Sequence, residues 1–286
     1  MRIDAERRRR TAELVALDPA TDWHEIYRRL TLWELPSEAR FGFQLAFYRP
    51  FAVPRMAAVL AGTGHFRRDT TRRAYDTALV IHEIIWGGPN SERGHQMVKL
   101  MNKLHDRPDI HAEDMTYILN SLIVVPTRFM DRYGWRRVSE AERVATWRFY
   151  DTLGERMNIA HRPASYTEAV QQLVDYEARH LAPSTAGAEL TDAVLATLRD
   201  RVPTPARPFA PQITSALVGD EAVSRALSLP APRSWAAAML QFGAAVRKHL
   251  QRCQAPPQKP SFWPGRPAGR LYPDGYALDQ LGPAER

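Results

Sequence analysis

Arg73 and Thr77 stand four residues apart in Arg73-Ala-Tyr-Asp-Thr77, and His105 follows 28 residues after Thr77 at the end of Met97-Val-Lys-Leu-Met-Asn-Lys-Leu-His105. Four residues advance about 40° around a helix, so the guanidinium and the hydroxyl share one face. Val80, Ile81 and Ile84 extend that face as an apolar stripe. An Arg beside such a stripe needs a partner or must reach water, because an unpaired buried guanidinium is costly. His105 follows Val98 and Met101 on its own apolar stripe. Arg107-Pro108 then disfavours helix, so the helix is expected to end near Asp106. A neutral imidazole in that position can ligate a metal or a haem iron. The three residues thus form a kit for a metal or haem centre that handles oxygen. Each also has an ordinary reading: a snorkelling or ion-paired Arg, and a satisfied core or capping His.

Other chemistry competes. Glu92-Arg-Gly-His95 and Glu177-Ala-Arg-His180 are two Glu-x-x-His pairs, the pattern of carboxylate-bridged di-iron bundles. Gly94, the helix-start position of Glu92 and the lack of two partner glutamates count against it. Cys253, the one cysteine, could serve as a thiolate ligand, but its surroundings read as a fraying helix end. No nucleophilic triad, phosphate-cradling loop or dinucleotide fingerprint occurs. A non-enzymatic helical binding protein remains a third reading, although no helix-turn-helix or zinc-finger signal marks a nucleic-acid partner.

The elements that must position these residues are helical. Apolar periodicity places helices near 22–33, from Ser37 (as a candidate N-cap) to Leu60 with breaks at Pro50 and Pro54, and over 70–86. Gly87-Gly88-Pro89 ends that last one and Ser91 opens the helix carrying His105. Further helices are expected over 113–133, from Ser139 with Glu142 as a capping box, and near 165–181, 189–202, 208–219 and 232–253. No alternating β pattern appears. Beyond Ala255 the chain is rich in Pro and Gly, an extended tail expected to pack through Phe262, Trp263, Tyr272 and Tyr276. The fold class is therefore all-α, a single helical domain. Its parts are an N-terminal helical extension over 1–36, a helical domain over 37–254 that carries the candidate site, and the tail over 255–286.

Composition bounds the rest. The 286 residues are 44% hydrophobic, ample for one large core, and carry a formal net charge of +7. Arg7-Arg8-Arg9-Arg10 could touch anionic lipid or nucleic acid, or be a solvated helix face. A single cysteine excludes an internal disulfide and fits a reducing cytoplasm. Met1-Arg2-Ile3-Asp4 opens no apolar run, so no signal peptide is expected, and no stretch of about 18 apolar residues suggests a transmembrane anchor. Peripheral membrane contact stays open.

The order and spacing of several segments resemble the MpaB-like oxygenase family, which includes the latex-clearing rubber oxygenases. The likeness covers roughly residues 38–283. It runs through Arg73-Ala-Tyr-Asp-Thr77, Gly87-Gly88-Pro89-Asn90-Ser91-Glu92-Arg93-Gly94, Asn102-Lys103-Leu104-His105 and Glu113-Asp114-Met115-Thr116-Tyr117-Ile118-Leu119. It continues through Asp131-Arg132-Tyr133-Gly134-Trp135-Arg136, Pro163-Ala164-Ser165-Tyr166 and Tyr272-Pro273-Asp274-Gly275-Tyr276. The resemblance implies a globin-like core holding one haem b, with His105 as axial ligand and Arg73 and Thr77 on the oxygen side as catalytic and cofactor-binding residues. It implies dioxygen and a hydrophobic, unsaturated, isoprenoid-like or secondary-metabolite substrate, with oxidative cleavage of a C=C bond as the reaction type. Two departures matter. Rubber-cleaving members carry a Lys before the Thr, where this chain has Asp76. They also carry an upstream Glu, where this chain has Ala57-Ala58-Val59-Leu60. Asp76 is expected to pair with Arg72 or Arg73 and to leave iron uncapped.

Overall fold

A computed structural model describes the backbone of residues 2–199, 204–269 and 271–282. It describes side chains over the same span except residues 2–5, 7, 8, 65–71, 73, 74, 205 and 206. These described residues form thirteen α-helices and no strand. In order they are α1 (Arg2–Val15), α2 (Trp23–Arg29), α3 (Pro36–Tyr48), α4 (Pro54–Gly62), α5 (His65–Gly87), α6 (Glu92–His105) and α7 (Ala112–Tyr133). Then follow α8 (Glu140–Arg156), α9 (Tyr166–His180), α10 (Thr185–Arg199), α11 (Ala210–Val218), α12 (Glu221–Ala226) and α13 (Ser234–Cys253). The all-α expectation holds.

Local sequence explains most boundaries. Ser91 Oγ accepts from the Gly94 N–H and starts α6, and Ser139 with Glu142 forms the expected reciprocal capping box of α8. Pro50 and Pro54 break the second stretch as expected, leaving a short 3₁₀ turn over Arg49–Ala52. Ser37 is not the cap of α3. Leu35 occupies that position and Pro36 takes the first turn, where its missing N–H costs nothing. The helix expected over 22–33 instead ends at Arg29 and widens into a π-helical turn over Leu30–Glu34. The six-residue α12 carries too little periodic pattern to show in sequence.

The centre of the molecule is α7, and its most extensive partner is α3. The two approach at Gly42, where a Cβ would lie 2.4 Å from Pro126 Cα. Pro126 lies inside α7 and donates no N–H, so a side chain opposite it would gain nothing and would force the helices apart. Around this crossing lies one large apolar cluster, which includes Tyr27 and Leu30 from the N-terminal region and Phe262, Tyr272 and Tyr276 from the tail. A smaller cluster joins Phe51, Ala57, Leu190, Leu195, Val223 and Leu227 across α4, α10 and α12. The tail packs through three of its four expected aromatic residues. Trp263 stays 42% exposed, with the Arg266 guanidinium 4.9 Å from its ring centroid.

Candidate functional site

The site is built on a helical hairpin. Helix α5 ends at Gly87, and Gly88 takes φ 86°, a left-handed turn that favours glycine. Ser91 restarts the chain as α6. The turn is closed tightly: a Cβ on Gly94 would lie 2.1 Å from the Gly88 carbonyl oxygen, and the His24 imidazole covers Gly88 while its Nε2 meets the Ile85 carbonyl at 3.0 Å. Helix α6 has 14 residues, and the last 14 residues of α5 begin at Ala74, next to Arg73. A rise of 1.5 Å per residue puts His105 and Arg73 at similar distances along their helices from the turn that joins them.

His105 is half-buried, the last residue of α6, and its Nδ1 lies 2.6 Å from the Met101 carbonyl oxygen. A carbonyl only accepts, so Nδ1 carries the proton and donates it. In the neutral ring the lone pair then sits on Nε2, the atom a metal ligand must offer. Thr77 is half-buried on α5. Arg73 lies on the same helix one turn earlier; its side chain falls outside the described residues. Val80, Ile81 and Ile84 are buried, as the stripe demands.

Asp76 is turned to the tail. It is 4% exposed, accepts from the Tyr272 hydroxyl at 2.7 Å, and pairs with Arg72 at 3.8 Å. The expected cation pairing with Arg72 is present, but the shorter bond comes from a residue 196 positions away. Two helical turns on, Glu83 is fully buried. Arg93 donates to both its oxygens at 2.9 Å, and the Tyr276 hydroxyl donates at 2.5 Å. Burial and the adjacent carboxylates push the Tyr272 phenol up to about 12 and the Tyr276 phenol well above its ordinary range, so both stay protonated donors. Between the two carboxylates, His82 donates from Nδ1 to the Ala78 carbonyl at 2.6 Å, and its ring meets Phe262 of the tail at 5.3 Å. Burial lowers its affinity for a proton, with Arg266 and Arg40 adding to the effect. The tail is thus clamped along α5 by two phenol–carboxylate bonds. The sequence held a faint signal for this, carboxylates seven apart and tyrosines four apart, but nothing in it joins the two pairs.

The competing centres do not assemble. Glu177 is buried against Arg49 and accepts from the Tyr117 hydroxyl at 3.0 Å, so its carboxylate is already matched by a cation and a donor. Glu92 and His95 are exposed on the first turn of α6. Among the described residues no group of three or more His, Cys, Asp or Glu side chains is arranged to hold a metal ion. Cys253 is exposed, 3.8 Å from His249. In the Arg7–Arg10 run, Arg9 and Arg10 pair with Glu6 one turn away, a solvated helix face; the side chains of Arg7 and Arg8 fall outside the described residues.

Helices alone, a histidine closing α6 and a tail clamped along α5 define the scaffold as all-α. Residues 33–248 match the family described as ER-bound oxygenase mpaB/B′/Rubber oxygenase, catalytic domain, and the chain belongs to that family. It is an enzyme of the oxygenase class. It is 24% identical to ER-bound oxygenase mpaB′ of Penicillium brevicompactum, over 90% of this chain and 76% of that protein. It is 26% identical to ER-bound oxygenase mpaB of the same organism, over 83% of this chain and 67% of that one. A protein of the latter name from Penicillium roqueforti is 26% identical over 62% of this chain and 65% of its own length. Those relatives are named as ER-bound. In this chain no helix among the described residues is long and apolar enough to cross a membrane.

Proposed function

We propose that this chain is a haem b-dependent oxygenase that acts with dioxygen on a hydrophobic, unsaturated substrate, isoprenoid-like or a secondary metabolite, with oxidative C=C cleavage as its reaction. The observation that carries the reading is the His105 imidazole, its Nδ1–H committed to the Met101 carbonyl at 2.6 Å, in a chain of an oxygenase family. That donor chemistry suits a histidine that would hold a haem iron, since the carbonyl would fix the orientation of the ring. Haem, when bound, supplies dioxygen activation.

The protein's own residues do the rest. His105 holds the cofactor from α6. Arg73, one turn from Thr77 on α5, acts as a fixed cation that stabilises negative charge developing on oxygen, an effect enlarged where water is excluded. Thr77 offers a hydroxyl that orients the reacting oxygen on the same face. Phe262, Tyr272 and Tyr276 close the tail over α5 and keep water from the hairpin. A globin-like arrangement of the helices around the cofactor belongs to the same proposal, as does a cytoplasmic setting, which the single cysteine favours. The substrate class rests on the rubber oxygenases named in the family description. Asp76, where rubber-cleaving members carry Lys, is held by Tyr272 and Arg72 and leaves the cofactor uncapped.

Absorption spectroscopy with haem quantification tests this reading. The purified chain should show a Soret band and one haem per chain. His105→Ala should retain its helical circular dichroism and lose the haem. Arg73→Gln and Thr77→Val should keep the haem and lose turnover. A colourless wild-type protein, or a His105→Ala protein with full haem, would refute the assignment.

A further inference from the structure

Helix α13 is turned the wrong way for a helix packed only on its own protein. Trp235, Met239, Phe242, Val246 and Leu250 recur at the spacing of one helical face, a stripe of ~23 Å at 1.5 Å per residue. All five are exposed, Phe242 at 73%. Phe209, also exposed, lies edge-on to Trp235 with ring centroids 5.4 Å apart and widens the stripe. The opposite face of α13 meets the body through the small or half-buried Ala236, Ala237, Leu240 and Ala244 and, toward the C-terminal end, through three cations. Arg247 meets the buried carboxylate of Glu38 at 3.1 Å, Lys248 donates to the Arg132 carbonyl at 3.0 Å, and Arg252 to the Trp135 carbonyl at 3.2 Å. Only Ala236 of the helix is buried. A surface helix ordinarily hides its apolar face and hydrates its polar one. Here a face of small apolar residues and cations anchors the helix, and among the described residues nothing covers the large apolar stripe.

Charge selects the cover. From Ala222 to Pro273 the sequence contains eight Lys and Arg residues and not one Asp or Glu. Arg207 and Arg233, both exposed, flank the N-terminal end of the stripe. A second copy laid across the stripe about a twofold axis would bring two carboxylate-free, cationic segments together. An anionic lipid surface answers both features: it takes Trp, Phe and Leu into the acyl boundary and attracts the cations around them.

We propose that the exposed face of α13 docks the protein on the surface of an anionic phospholipid bilayer, as a peripheral helix lying in the interface plane. The test uses the full haem-loaded chain in flotation with extruded vesicles of phosphatidylcholine, with and without phosphatidylglycerol. Wild-type protein should float with the anionic vesicles, at least about tenfold more weakly with neutral ones, and progressively less as salt is raised. Met239→Glu combined with Phe242→Glu removes two apolar contacts and adds two repelled charges. It should lower partitioning on the order of a hundredfold while leaving circular dichroism and melting unchanged, since both positions are exposed. Absence of vesicle binding overturns the proposal, and so does binding that the double variant retains. A wild-type dimer by light scattering that the double variant splits assigns the face to a second copy and equally overturns it.

Discussion

Arg93→Ala is expected to destabilise the fold by about 3 kcal/mol. Glu83 is fully buried and receives three bonds, two from the Arg93 guanidinium at 2.9 Å and one from Tyr276 at 2.5 Å. Removing the guanidinium strands a carboxylate with one donor and no cation. Breaking a buried pair from one side costs about 3–5 kcal/mol. The Arg93 side chain is 42% exposed, so water can follow the vacated path, which favours the lower end. For a chain of this size that corresponds to a fall in melting temperature of about 5 °C. Tyr276→Phe removes one charge-assisted bond and leaves the ion pair, so it should cost less, about 1–2 kcal/mol. Arg93→Leu with Glu83→Leu removes both charges and should recover most of the Arg93→Ala loss. Urea denaturation of the four proteins measures each difference, provided the slope m stays constant. The reasoning fails if Arg93→Ala costs under about 1 kcal/mol at unchanged m, or if the double Leu variant is no better than Arg93→Ala.

Burial depresses the folded-state proton affinity of both His24 and His82. The unfolded chain then binds more protons below a pKa of about 6.5, and stability falls as pH drops through that value toward the folded pKa values. Urea midpoints at pH 8 and pH 5 should show the loss, and His82→Gln should shrink the difference; a flat profile would contradict it. Gly42→Ala forces a Cβ to 2.4 Å from Pro126 Cα and should cost about 3 kcal/mol by parting α3 from α7, measured as a lowered melting temperature. Ser139→Ala removes one half of the α8 capping box and should cost about 1 kcal/mol in the same assay, with the helix content of the native state unchanged.

The helices were legible because their signals are local. The apolar period, the caps at Ser91 and Ser139 and the breaks at Pro50 and Pro54 depend only on residues within a turn or two of each other. The cap of α3 shows the limit: Ser37 suits the role by type, yet Pro36 claims the first turn and the boundary shifts by one residue. The turn that joins α5 to α6 is likewise local, set by Gly87, Gly88 and the Ser91 cap.

What the sequence by itself determined, then, is the all-α class and the family likeness that residues 33–248 bear out. Tertiary structure decided everything that depends on partners far along the chain. Asp76 answers to Tyr272 and Glu83 to Tyr276, across 196 and 193 residues. Glu177 is matched by Arg49, which dissolves an apparent metal pair. Trp263 and the α13 stripe show the same limit from the other side, because apolar character in the sequence does not say whether the packed chain covers it. Periodicity is a property of neighbours in sequence, whereas burial and pairing are properties of neighbours in space, and only the packed chain fixes those.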